Sequence, residues 1–359
     1  VHVRRFRNLQ HVDIELGERF NVISGANGQG KTNLLEAIYV LGTSKSFRSA
    51  KLEELVSFGC ELATIRARVV ESGDARMQTV GLRAGARMVR IDEKRPTSLA
   101  AYAVRCPMVV FHPGEISLSM GSSSERRRLL DRTSFYLAPG SMAELDSYTK
   151  ALRSRQRTLE TRGVSAKELS AWETLCVRHG LAVMEYRSRA GALLAAGAKS
   201  AFDRIAAPDL RLEIHYVAGA PRDAESFSRE LELRRETDLR RGSATVGPHR
   251  DDLAISIAGR PVRGFASQGQ HRAVTLSLKS AEIDVIGAAR GVRPVLLLDD
   301  VSSELDRERT AAFFSFLRAQ EGQVLLTTTR PELIDTGERS ARVDFEICGG
   351  EVSRIYRVD

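Results

Sequence analysis

The 359-residue chain has no apolar run of about 18 residues and no apolar leader, which argues against a membrane span or a secreted route. Cysteine is scarce. Cys60, Cys106, Cys176 and Cys348 are widely spaced and form no C-x-x-C, which argues against a zinc knuckle or disulfide framework and fits a reducing cytosol. They read as small, semi-buried side chains. Internal repeats, low-complexity tracts and sustained a/d heptads are also missing, so neither a solenoid nor a long coiled-coil arm is expected. The first residue is Val rather than Met, which points to a trimmed N-terminus. What remains is ordinary globular material, 42% hydrophobic and 28% charged, with a net charge of +8 and a pI near 9.5. That balance leans weakly toward a polyanionic partner. The length allows one large core or two modest ones, read here as a main domain with an insertion.

Periodicity places the elements. His2 to Phe6 and Val12 to Leu16 alternate as strands, and Phe20 to Ser24 is a short strand running into a glycine-rich loop. Lys31 to Leu41 follows as a helix, with Leu34, Leu35, Ile38 and Leu41 at helical spacing. Ala63 to Val70, Met77 to Leu82 and Arg87 to Ile91 read as an antiparallel sheet, and Val104 to Phe111 as an apolar strand. The texture changes at Gly121-Ser122-Ser123-Ser124. From 121 to 239 the chain is rich in Arg, Leu, Ala and Glu with helical periodicity, so this stretch is expected to be a mostly helical insertion. Residues 1–120 and 240–359 then form one discontinuous α/β domain, in which Leu253 to Ile257 alternates and Val295 to Leu298, capped by Asp299 and Asp300, and Val324 to Thr329 are strands.

Three segments carry chemistry. Gly25-Ala26-Asn27-Gly28-Gln29-Gly30-Lys31-Thr32 is a phosphate-binding loop in the strand–loop–helix setting that such a loop requires. Its backbone N–H groups cradle phosphates, Lys31 supplies a point charge, and the Thr32 hydroxyl reaches Mg²⁺. Val295 to Asp300 is an apolar strand ending in two carboxylates. On its own it reads as a buried parallel strand, but beside such a loop Asp299 is the expected Mg²⁺ ligand and Asp300 the group that orients or deprotonates attacking water. Ser267-Gln268-Gly269-Gln270 has the pattern of a helix capping box, which needs no ligand. A serine hydroxyl and glycine N–H at a helix start also make an anion site, so the two readings are compatible. The order phosphate loop, S-x-G-Q, acid-ended strand, then Ser303-Glu304-Leu305-Asp306 resembles ATPases of the ABC class.

Within that class the chain resembles the RecF family of DNA replication and repair proteins, related to SMC proteins. The resemblance covers nearly the whole length. It rests on Phe6-Arg7-Asn8, on the loop and helix from Gly28 to Tyr39, on Ser267 to Gln270 and Leu298-Asp299-Asp300, and most particularly on Ser124 to Arg132 (S-E-R-R-R-L-L-D-R) and Gly247 to Leu253 (G-P-H-R-D-D-L). It implies an ABC-type ATPase head with a mixed P-loop sheet, an antiparallel β subdomain and the helical insertion. It further implies ATP and Mg²⁺ as cofactors, an ATP-dependent head-to-tail homodimer, double-stranded and gap or junction DNA as partner, and RecR, RecO and RecA as functional companions in the cytoplasm. Ser267, Gly269 and Gln270 are expected to meet the γ-phosphate in trans, Asp306 to lie along the dimer seam, and Arg7 to join the nucleotide-binding residues.

The chain departs from the wider ABC pattern at several points. Asp300 stands where a glutamate is usual, one methylene shorter, so a weak, DNA-stimulated ATPase with slow hydrolysis is expected. Thr327-Thr328-Thr329 occupies the place of a histidine, and His112 and Glu115 both remain open for the bridging position after Phe111. Lys45, Arg48, Arg126, Arg127, Arg128, Lys150, Arg153 and Arg157 are candidate DNA contacts; Lys150, Arg153 and Arg157 share a helix face by spacing, and a solvated basic stripe is the better explanation of any one of them. Such contacts would be salt-sensitive and largely blind to sequence. The alternatives are a scaffold that uses ATP as a structural ligand, and a transporter subunit, for which too much chain separates Lys31 from Ser267.

Overall fold

The computed structural model describes residues 1–71, 73–205, 210–300, 314–315, 317–318, 321–337 and 341–356. It forms two compact units, Val1–Glu115 with Ile286–Asp359, and Ile116–Val285.

The first unit is built on two sheets. The six-stranded one runs Glu351–Ile355, Arg342–Cys348, Phe20–Ser24, Val324–Thr328, Val295–Asp299, Met108–Phe111; its last five strands are parallel and Glu351–Ile355 joins antiparallel. Val295–Asp299 and Val324–Thr328 are almost wholly buried and begin with apolar runs, because a central parallel strand is covered on both faces. The five-stranded sheet is antiparallel, in the order Leu9–Asp13, His2–Phe6, Ala63–Glu71, Asp74–Arg83, Ala86–Ile91. The helix Lys31–Thr43 buries ten of its thirteen residues, since Leu34, Leu35 and Ile38 share one core with Ile23, Leu297 and Leu325 of the first sheet and Val3, Ile65 and Val80 of the second. A helix enclosed this way is apolar nearly all round. Each fully buried aliphatic side chain stabilises the unit by about 1.5–3 kcal/mol.

Two strands differ from their expected limits. Pairing of His2 with Asp13 and Phe6 with Leu9 makes a tight hairpin, which starts the second strand at Leu9 and leaves Ile14 to Leu16 beyond it. Val104 closes a short helix, Leu99–Ala103, and the next strand is Met108–Phe111. Pro107 has no N–H to extend the ladder and offers only its carbonyl, to Val295 N–H at 2.8 Å.

The second unit holds the helices Ser123–Leu137, Ser141–Arg162, Glu168–Ile205, Ala224–Leu233 and Arg235–Arg241. It also contains a three-stranded antiparallel sheet, Arg260–Pro261, Asp252–Ile257, Leu212–Val217, which corrects the expected boundary at 239. Leu212–Val217 lies inside the stretch read as helical. It pairs along its whole length with Asp252–Ile257, and the inner face of that pair packs with Leu129, Leu130, Ala190 and Leu194. The unit therefore runs to Val285, and the division falls within the helix Gln268–Arg290. A second cluster joins Tyr148, Cys176, Met184 and Phe227. All four cysteines are free; burial pushes the Cys106 and Cys176 thiols up to about 12, which makes them inert packing groups. Among the described residues no helix is long and apolar enough to cross a membrane.

Candidate nucleotide-binding site

The loop Gly25–Gly30 joins the strand Phe20–Ser24 to the helix Lys31–Thr43. Two of its glycines are required by geometry. A Cβ on Gly25 would stand 2.4 Å from the Ile347 carbonyl oxygen, and Gly30 caps the helix in the left-handed region at φ 116, where a Cβ would stand 2.9 Å from the Asn8 side-chain amide. No side chain caps this helix, so its first-turn N–H groups remain open toward a ligand. Ala26, Asn27 and Gly28 are exposed at the loop tip.

The loop is held from outside by residues that periodicity could not single out. Asn8 Nδ2 donates to the Gln29 carbonyl at 3.1 Å, and Asn33 Nδ2 donates to Asn8 Oδ1 at 2.8 Å. The turn after Arg342–Cys348 adds Gly349 N–H to Gln29 Oε1 at 2.6 Å and Gly350 N–H to the Gln29 carbonyl at 3.0 Å. Only the F-R-N triplet hinted at Asn8.

Lys31 is buried and donates to the carbonyls of Gly25 and Ala26 at 2.7 and 2.9 Å. Burial pushes its ammonium below the ordinary range, while Asp300 and Asp299 pull it back up. The Thr32 hydroxyl reaches both carboxylate oxygens of Asp299 at 2.9 Å. Val324–Thr328 lies between Phe20–Ser24 and Val295–Asp299 in the sheet; Asp299 is opposite its Thr327, and Thr327 Oγ1 donates to Asp299 Oδ1 at 2.8 Å. The same Thr327 oxygen accepts the Asp300 N–H at 3.0 Å, and Asp300 has a left-handed backbone, φ 49. Thr327 is thus a positioning residue for both acids, a role that strand propensity alone does not reveal. A hydroxyl and a carboxylate of this kind are the hard oxygen donors that suit Mg²⁺. The donor set and the glycine cradle fit a magnesium–triphosphate.

Arg7 lies apart from this cluster, its guanidinium paired with Glu36 (Nη2–Oε1 2.9 Å) and bonded to the Glu54 carbonyl at 3.1 Å. Glu36 is fully buried and also receives Ser46 and, at 3.5 Å, Arg48, which bonds Asn33 Oδ1 at 2.8 Å. His112 and Glu115 face each other at 3.5 Å.

In the second unit, Ser267 and Gln270 form the expected reciprocal cap. Gln270 N–H donates to Ser267 Oγ at 3.2 Å and Ser267 N–H to Gln270 Oε1 at 2.9 Å. Ser267 is exposed, and Gly269 and Gln270 are half-buried. Asp306 lies outside the described residues.

The basic candidates separate by environment. Arg126 is buried and paired with Asp252 at 2.6 and 2.9 Å, with the Leu118 and Gly121 carbonyls taking its remaining donors, so it is a structural residue and not a surface DNA contact. Arg127 is half-buried and Arg128 is exposed beside Glu125. Lys150, Arg153 and Arg157 are exposed on one face of Ser141–Arg162, and Lys45 is exposed in the first unit.

The sequence matches the family described as RecF/RecN/SMC N terminal domain over residues 1–348. It is 38% identical over 358 residues to the DNA replication and repair protein RecF of Geobacter sp. (strain M21), covering 97% of each chain. Against the protein of the same description from Myxococcus xanthus (strain DK1622) it is 36% identical over 364 residues, covering 98% of this chain and 96% of the relative. A solved structure of the recombination mediator protein RecF-ATPrS in the RecFOR pathway superposes with a TM-score of 0.90 at 29% identity, covering 99% of this chain and 97% of the other. An Smc head bound to the C-winged helix domain of ScpA, at 14% identity and a TM-score of 0.55, shares the fold. The chain therefore belongs to the RecF family of DNA replication and repair proteins, with the head architecture it has in common with SMC proteins.

Proposed function

We propose that the chain is an ATP-dependent, DNA-binding recombination mediator whose ATP-bound form is a head-to-tail dimer on double-stranded DNA. The observation that carries this reading is the preassembled Thr32–Asp299 pair at the open N-terminus of the loop helix. Lys31 binds the β- and γ-phosphates after leaving the two loop carbonyls. Thr32 and Asp299 hold Mg²⁺, which screens the phosphate charge when bound. Asp300, oriented through Thr327, positions the attacking water. Its short side chain on a left-handed backbone makes turnover slow.

Ser267, Gly269 and Gln270 present an exposed helix N-terminus suited to a γ-phosphate on a second copy, so ATP stabilises the dimer that contacts it from both sides. Arg7 supports the first turns of the loop helix through its pair with Glu36. Lys150, Arg153 and Arg157 offer a cationic face to phosphates, with Lys45 a further contact in the first unit. The relatives' names, a DNA replication and repair protein and a recombination mediator of the RecFOR pathway, support work in DNA repair beside RecO and RecR; action at gapped DNA in the cytoplasm, in aid of RecA loading, completes the proposal.

A scaffold that merely retains ATP is the second reading, favoured by the short Asp300 side chain. DNA residence time with ATP separates the two. Asp300→Asn is expected to stay on duplex DNA at least tenfold longer than the native chain; equal lifetimes would support the scaffold.

A further inference from the structure

The two most family-particular motifs meet in the second unit, around a cavity of about 260 Å³ that the nucleotide chemistry does not use. Most of the charge there is already balanced. Arg187 is held by Asp131 at 2.7 and 3.0 Å and by Asp251 at 2.9 Å, and Arg128 pairs with Glu125 at the surface. Tyr148 and His249 satisfy each other at 2.7 Å, with His249 Nε2 on the Ala244 carbonyl at 2.8 Å.

Arg127 is the exception. Its Nη1 donates to Ser123 Oγ at 2.7 Å and to the Asp251 carbonyl at 2.8 Å, yet it forms no ion pair among the described residues. Burial, and after it the neighbouring Arg187, push its guanidinium below the ordinary range, against the carboxylates of Asp252, Asp251 and Asp131, which pull it back. A half-buried guanidinium bonded only to neutral oxygens, with the nearby carboxylates engaged by Arg187 and Arg126, is a seat for an external anion. The start of the helix Ser123–Leu137, whose N-cap Ser122 makes no capping bond, adds its dipole on the same side, with Ser124 lining the cavity. Leu145 and Leu152 supply apolar wall for an organic group attached to the anion.

We propose that this cavity binds a phosphate monoester, with Arg127 as its anchoring cation. The concavity favours a chain end or a free nucleotide over the phosphates of a stiff duplex, which meet flat surfaces. The exposed face of Lys150, Arg153 and Arg157 belongs to the helix that contributes Leu145 and Leu152, so a nucleic-acid end has a cationic approach. Only the choice of nucleic acid as the source of the phosphate rests on the DNA-binding reading above.

The test uses the full chain carrying Lys31→Met, which removes phosphate binding at the loop, with and without Arg127→Gln or Arg127→Lys. Two probes are titrated: short duplexes with 5′-phosphate or 5′-hydroxyl ends, by fluorescence anisotropy, and dTMP, by calorimetry. A nucleic-acid source predicts tighter binding of the 5′-phosphate duplex, a preference that drops about tenfold in Arg127→Gln and is partly kept in Arg127→Lys. A free-nucleotide source predicts dTMP binding, lost in Arg127→Gln, without any end preference. Equal binding of both duplexes together with no dTMP binding overturns the site, as does a preference that Arg127→Gln leaves intact. Thermal melts establish that each variant is folded. Failure of the clamp reading would appear separately, in the ATP response of the native chain.

Discussion

Glu282 lies fully buried on the helix Gln268–Arg290 between two cations, Lys279 at 2.7 Å and Arg132, whose Nη2 reaches Oε2 at 3.0 Å. Burial alone would raise its carboxyl; Arg132 and Lys279 prevail and lower it to about 2. The folded value lies below the unfolded one, so the ionised carboxylate stabilises above the unfolded pKa, and that contribution is lost as pH falls toward 2. Glu282→Gln is expected to cost about 3 kcal/mol near neutrality by leaving buried charge unpaired. In urea unfolding the gap between native and variant should close between about pH 5 and pH 2. Arg126 and Arg153 make a second contrast. Both are arginines in basic helical text, but one sits against Asp252 and the other faces solvent. Arg126→Ala should lower stability by about 3 kcal/mol. Arg153→Ala should leave stability nearly unchanged and reduce the salt dependence of DNA binding by about one phosphate contact. Helical spacing put Arg153 on a shared face with Lys150 and Arg157, but no local pattern announces that Asp252, far along the chain, covers Arg126.

At the level of elements, the phosphate loop is clamped by parts that are distant in sequence. Asn8, at the tip of the first hairpin, and Gly349 and Gly350, at the last, converge on Gln29. Asn8→Ala removes the side-chain bonds to Gln29 and Asn33, and ATP affinity by calorimetric titration is expected to fall about fivefold, the equivalent of about 1 kcal/mol. An unchanged affinity would mean that the clamp does not tune the loop. The strand–loop–helix itself was legible because its motif is contiguous, and Leu34, Leu35, Ile38 and Leu41 repeat at helical spacing. The capping box was legible for the same reason, since Ser267 and Gln270 are three residues apart. Leu212–Val217 was not. Leu212, Ile214 and Tyr216 do alternate with Glu213 and His215, but six residues of period two amid helical text are a weak signal, and nothing local announces the partner at Asp252–Ile257 that makes the segment a strand. Once paired, the two strands carry the second unit past the compositional boundary at 239. Thr327 was visible only as a strand residue, because its grip on Asp299 and Asp300 depends on ladder register.

Taken as a whole molecule, the chain carries the Thr32–Asp299 pair, proposed to hold magnesium–triphosphate, in one unit and an exposed capping box, proposed to meet a γ-phosphate, in the other. The central claim is that the cap of one copy closes over nucleotide held by a second. Ser267→Arg removes the cap, costing about 1 kcal/mol of local stability, and places a bulky side chain where the γ-phosphate of the partner would approach. Its melting temperature therefore has to be read beside its assembly. The decisive measurement is sedimentation velocity of the native chain and Ser267→Arg without nucleotide, with ADP and with ATP. The native chain should become a dimer with ATP alone, while Ser267→Arg should bind ATP and remain a monomer; a variant that dimerises with ATP as the native chain does would contradict the composite site.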